Sequence, residues 1–225
     1  MRYRWWVLGA VVGLLAGCGA TGAEQRDDVT EQIDGAVSRV EVDSDAGNLR
    51  LVAGTQARVE QDLRWTGDAR PEVTHRLDGE VLRVEARCPD RGSDRCQAGL
   101  VITVPEASSS RAELSAGAIE IEGLTGEHEV RTSAGGVQGR GLGPGSVTAE
   151  SSAGSVDLTF VAAAPEVTAE SSAGSVDVRV PDGQDYAVDA ETTAGQTRVE
   201  LADTPGAPHR ITARSSAGGV TVGHG

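Results

Sequence analysis

The sequence predicts an all-β chain whose main part is a right-handed parallel β-solenoid of short repeats, with an antiparallel β excursion near its N-terminal end. Three observations predict it. A phrase, Ser-Ala-Gly-x-Val-x-Val, stands at Ser152 to Leu158 and again at Ser172 to Val178. Glycines of this phrase and its looser copies, Gly117, Gly135, Gly154, Gly174, Gly195 and Gly218, follow at intervals of 18, 19, 20, 21 and 23 residues, which is the spacing of stacked coils. Apolar residues also keep phase with those glycines, so each coil has an inward face.

The phase is that of a half-buried strand. Two and four residues after the glycine stand Ile119 and Ile121, Val156 and Leu158, Val176 and Val178, Val220 and Val222, with a polar residue between each pair. A second strand precedes the glycine. Seven residues back lie His128, Val147, Val167, Val188 and Ile211, and five back lie Val130, Ala149, Ala169, Ala190 and Ala213. Between the strands the Ser/Thr-Ser/Thr-Ala-Gly corner combines a glycine free to take positive φ with hydroxyls able to bond the bent backbone. A flexible linker of the same composition would not hold valines in register with glycines.

Taken from its start, residues 1–17 read as an export signal: Arg2 and Arg4, then the uncharged run Trp5 to Gly17. That run is too short for a helix spanning a bilayer, which needs about 20 residues. Leu15-Ala16-Gly17-Cys18 resembles the bacterial lipoprotein signal, which implies cleavage before Cys18 and its lipidation. An ordinary cleaved signal or an uncleaved anchor are the alternatives. Residues 18–36 are polar and acidic and read as a disordered tether, spanning roughly 23 Å on average.

Residues 37–225 read as the solenoid domain. Val40-Glu41-Val42 and Leu49-Arg50-Leu51 flank Gly47 as in a first coil. The next such glycine is Gly117, so about 52–112 should leave the path as antiparallel strands, and coils should be regular over 113–222. Within the excursion Asp78-Gly79 separates alternating runs, a strong hairpin signal. Gly99 to Val104 reads as a more buried strand ended by Pro105. Cys88 and Cys96 bracket a polar loop and read as a disulfide of an exported protein; zinc is the rival, but no further ligands stand at suitable spacing.

The formal net charge is −14, with every basic residue an arginine, and loss of Arg2 and Arg4 would make the mature chain more acidic still. Such a charge argues against nucleic acid and against adsorption to anionic lipid. Membrane attachment would therefore depend on lipid at Cys18.

The order of features is similar to one family. A lipoprotein signal, Asp45-Ala46-Gly47-Asn48-Leu49-Arg50-Leu51, Leu82-Arg83-Val84-Glu85-Ala86 running into the Cys88 to Cys96 loop, Val101-Ile102-Thr103-Val104-Pro105 and the repeated Ala-Gly-x-Val resemble the bacterial putative-adhesin family of β-strand-repeat envelope proteins, a domain of unknown function. The resemblance spans about Val37 to Val222. It implies a β-solenoid at the cell envelope and carries over no catalytic residue.

Chemistry is sparse. Stacking in chain order would place Glu150, Glu170 and Glu191 in one outward ladder flanked by Arg131 and Arg214, and Asp157 and Asp177 in another with Arg198 above. A solvated charged face is the plain reading of both. The glutamate ladder as a weak divalent-cation site, and the aspartates as catalytic carboxylates, are sharper alternatives. His75, His128, His209 and His224 have no metal-protease spacing, no Gly-x-Ser-x-Gly elbow occurs, and the calcium-binding nonapeptide is absent. No cofactor is expected. The favoured function is a non-enzymatic, lipid-anchored extracytoplasmic module that binds an unknown protein or envelope partner; a glycan-active β-helix enzyme and an envelope-stress component with a membrane partner are the alternatives.

Overall fold

The computed structural model describes residues 23–89 and 95–225. The expected signal segment, residues 1–17, and Cys18 lie outside them. Nineteen strands are present among these residues, in chain order β1 (Gln25–Gln32), β2 (Arg39–Ala46), β3 (Leu49–Ala53), β4 (Arg58–Trp65), β5 (Glu72–Asp78), β6 (Val81–Arg87), β7 (Cys96–Val104), β8 (Ser109–Ala116), β9 (Ile119–Glu122) and β10 (His128–Ala134). They continue as β11 (Val137–Leu142), β12 (Val147–Ala153), β13 (Val156–Phe160), β14 (Glu166–Ala173), β15 (Val176–Val180), β16 (Tyr186–Ala194), β17 (Thr197–Val199), β18 (His209–Ala217) and β19 (Val220–His224).

Two sheets face one another across a thin core. The first runs β1-β4-β7-β3-β9-β11-β13-β15-β19-β17 and the second β16-β18-β14-β12-β10-β8-β2-β6-β5. Each coil contributes one strand to the second sheet, turns at the Ala-Gly corner, and contributes the next strand to the first. Equivalent residues stack in parallel register, Val147 on Val167 and Val156 on Val176 among them. Val130, Ala149, Ala169 and Ala213 are all 0 % exposed, as the five-back phase requires. The all-β, repeated, largely parallel architecture is thus the one that the periodicity implies.

At the corners the successive coils nearly touch. A Cβ built on Gly154 would lie 2.2 Å from the Gly135 carbonyl oxygen, and one on Gly174 2.2 Å from that of Gly154. Gly154 also has φ +154°. Gly174 and Gly195 do not have φ in the left-handed range, so the conformational reason expected for the corner glycines fails there. Close approach of stacked backbones is the reason that all of these glycines share. The inward corner hydroxyls bond the neighbouring coil rather than their own bend: Ser151 Oγ donates to the Gly135 carbonyl at 2.8 Å, and Thr132, Ser171, Thr192 and Ser215 do the same to Gly117, Gly154, Gly218 and Gly174.

Three expectations change. Gln25–Gln32, placed in the tether by its polarity, is β1, paired antiparallel with β4 from Gln25↔Trp65 to Gln32↔Arg58; backbone pairing to an available edge outweighs an apolar content of Val29 alone. The excursion is only partly antiparallel. β4 and β5 are, but β6 and β7 return as a full coil in parallel with β2 and β3, and β8 already belongs to the regular stack. The hairpin turns on Gly79 and Glu80, since Asp78 pairs with Val81.

The third change is the order of the last coils. β18 and β19 lie between β14–β15 and β16–β17, so the coil later in the chain sits deeper in the stack. Charge favours this arrangement. Chain order would set Glu191 beside Glu170, whereas the observed order puts Arg214 between them, and like charges directly opposite destabilise a sheet.

Candidate functional site

The most developed surface is the outer face of the second sheet. Four residues before each corner glycine, the side chains point outward and stack as Asp43, Glu113, Arg131, Glu150, Glu170, Arg214 and Glu191. Two residues further on runs a row of exposed hydroxyls: Ser115, Ser133, Ser152, Ser172, Ser216 and Thr193. Together they line a shallow open groove of about 990 Å³ along the stack.

The groove's charges are mostly paired. Arg131 donates to both oxygens of Glu150, at 3.0 and 3.2 Å, and to Glu129 at 2.5 Å. Arg111 reaches Glu129 at 2.9 Å and Glu113 at 3.0 Å. Arg214 bonds Glu170 at 3.4 Å and also Asp189. The hydrogen bond from Arg131 holds the Glu129 carboxyl below the usual range, and that from Arg87 does the same for Asp43. Such pairs on an exposed face contribute little stability each. Their effect is to present a flat surface with few uncompensated charges and many free hydroxyls.

The proposed cation ladder is not contiguous. Glu150 and Glu170 are neighbours, but Arg214 separates Glu170 from Glu191. Among the described residues no group of three or more His, Cys, Asp and Glu is arranged to hold a metal ion. On the first sheet Asp157 and Asp177 are neighbours in register, while Thr221, not Arg198, follows Asp177. Arg179 grips Asp177 at 2.7 and 3.1 Å. Among the described residues no arginine pairs with Asp157, and partial burial together with the Asp177 charge pushes its carboxyl above the usual range. Arg198 is the next outward residue after Thr221, on β17.

The remaining sites are structural. Cys88 and Cys96 are joined as a disulfide, stapling β6 to β7 where the other coils have a tight corner. His128 lies inside the core with Nδ1 2.8 Å from Ser110 Oγ; its inward phase was legible, its hydroxyl partner was not. His75 pairs with Glu31 at 3.2 Å and His224 with Asp182 at 2.7 Å, while His209 Nδ1 lies 2.9 Å from the Ala164 carbonyl. The groove itself was missed by sequence reasoning. Its signal was the second Ser or Thr of each corner, which alternation turns outward.

Residues 96–222, more than half of the chain, match the family described as Toastrack DUF4097. The chain belongs to the Toastrack family. Its matched region begins at Cys96 and takes in every coil from β8 to β19, so the Toastrack pattern is the stack itself. Among solved structures, a putative cell adhesion protein from Clostridium sporogenes is 13 % identical with a TM-score of 0.53, over 89 % of this chain and 100 % of that one. A putative adhesin from Bacteroides fragilis is 14 % identical with a TM-score of 0.42, over 88 % of this chain and 97 % of that one. The first shows a shared fold. No curated protein matches the chain. The family expected from the order of sequence features is therefore the one found. No helix among the described residues is long and apolar enough to cross a membrane.

Proposed function

We propose that this Toastrack protein is a non-enzymatic contact module, tethered outside the cytoplasmic membrane by lipid on Cys18 and acting through the outer face of its second sheet. The observation that carries this reading is the groove of paired charges and exposed hydroxyls running along successive coils, a surface suited to a long polar contact rather than to enclosing a small substrate. Several features support it. The Clostridium sporogenes relative in fold is described as a putative cell adhesion protein. A disulfide belongs to an oxidising compartment, and the acidic net charge disfavours nucleic acid. We infer the right-handed coil sense that parallel crossovers take.

The test is a photo-crosslinking side chain at Ser152 or Ser172 in intact cells, with Thr159 on the opposite sheet as control. Adducts with a defined envelope component from the groove positions alone support the reading, and their nature separates adhesion from a stress-sensing membrane partner. Equal labelling from both sheets removes it. Cys18→Ser should release the protein from the membrane fraction; continued sedimentation with membranes would exclude the lipid anchor. The rival, glycan cleavage, draws on the raised Asp157 carboxyl, a property of general acids. It requires polysaccharide-cleaving activity that Asp157→Asn abolishes.

A further inference from the structure

The two ends of the stack are finished differently. At the first, β1 and β5 close over the core, Ile33 and Ala69 are buried, and the Glu31–His75 contact and the Asp27–Arg70 ion pair bind the covering strands and their connection together. At the other end, among the described residues, β16 and β17 have no coil beyond them. Val199 is 41 % exposed although it holds the inward phase that Val178 and Val222 hold at 0 %. Val188 and Ala190 are likewise half-uncovered, whereas Ile211 and Ala213 beneath them are sealed.

We propose that this end is a docking edge for an extended segment of another protein in which apolar residues alternate with basic ones. The inference rests on the reading of the domain as a contact module and names the chemistry of one partner. Backbone groups supply the first argument. The Gln196 carbonyl and the Glu200 N–H bond β19 at 2.9 and 2.8 Å, and residues of a parallel strand alternate in the side to which they bond. Thr197 and Val199 therefore turn both their N–H and C=O groups outward. The start of β16 is already occupied, since Thr204 N–H donates to the Tyr186 carbonyl at 2.8 Å and Val188 N–H to the Asp203 carboxylate at 3.0 Å. Strand addition is thereby directed to β17.

Charge selects the occupant. From residue 182 to 203 the end carries Asp182, Asp185, Asp189, Glu191, Glu200 and Asp203 against Arg198 alone. Two copies meeting end to end would oppose acid to acid. Among the described residues, arginines of the coils beneath reach two of these acids, Glu200 from Arg179 at 3.2 Å and Asp189 from Arg214, and the end stays acidic. On a segment added to β17 the apolar residues would turn inward to cover Val188, Ala190 and Val199, and the alternate basic residues would turn outward on the first sheet, within reach of the Glu200 carboxylate.

The test uses the full-length protein in detergent and an eight-residue peptide of alternating valine and arginine, followed by fluorescence anisotropy, beside a peptide with glutamate in place of arginine. Thr197→Pro blocks the edge without removing a bond to β19. The arginine peptide is expected to bind, the glutamate peptide not, and T197P to weaken binding at least tenfold with unchanged melting. Should T197P melt early, Glu200→Gln takes its place, with an expected severalfold loss. Equal binding to these variants means adsorption to an acidic surface and overturns the proposal. So does an end-to-end dimer in sedimentation that T197P dissolves. Groove crosslinks at Ser152 in cells without peptide binding would leave the contact module standing and remove only the docking edge.

Discussion

Ser110 and His128 are bonded to each other inside the stack, Oγ to Nδ1 at 2.8 Å, on adjacent strands where the other coils carry valine, leucine or isoleucine. Nε2 of the same ring is buried without a partner. Burial lowers the His128 pKa from 6.5 to about 4. Below pH 6.5 the unfolded chain takes up a proton that the folded chain refuses, so the stability present above 6.5 is lost as pH falls towards 4. The full loss is about 3 kcal/mol. His128→Val should flatten that part of the pH–stability curve, measured by urea unfolding between pH 7 and 4. The depressed carboxyls of Asp43 and Glu129 also lose stability as pH falls and remain in both proteins, so an unchanged difference between variant and parent across this range contradicts the assignment.

Corner glycines separate two kinds of cost. Gly174→Val forces a Cβ to within 2.2 Å of the Gly154 carbonyl oxygen and should destabilise by about 3 kcal/mol or more. Gly79→Ala meets nothing within 4 Å but keeps φ +62°, and should cost only about 1 kcal/mol. Denaturant midpoints that rank the two in the opposite order would refute close stacking as the reason for the corner.

Hydroxyls one residue apart should behave differently. Ser171→Ala removes the buried bond to the Gly154 carbonyl and should cost about 1 kcal/mol. Ser172→Ala, on the exposed row, should leave the melting temperature unchanged while altering crosslinking from the groove.

Reduction of Cys88–Cys96, a separation of 8 residues, should lower stability by about 2.5 kcal/mol through the entropy of a small loop. Mass spectrometry of alkylated protein, with and without reductant, provides the matching chemical readout.

Much of this structure could be read from local pattern. Val156 and Leu158 around Asp157 announce a strand with one face inward, and Gly154 announces the corner, because both signals act over a few residues. The same locality explains what was hidden. The phrases at Gly195 and Gly218 are equivalent, so nothing near either tells which coil lies deeper; only the pairing of Arg214 with Glu170 and Asp189, across the stack, distinguishes them. Gln25–Gln32 has Val29 as its one apolar residue and becomes a strand through β4, some thirty residues on. The groove required knowing which rows align, and chain order misaligned Glu191 and Arg198.

The inverted order of the last coils also has a consequence for biogenesis. Synthesis from the N-terminus delivers residues 186–199 before residues 209–224, yet the earlier segment can settle only upon the later one. Until then its valines and acids have no lasting platform beneath them. The final assembly step is thus an insertion under a waiting layer, and the cell must shelter that layer from premature partners until it closes.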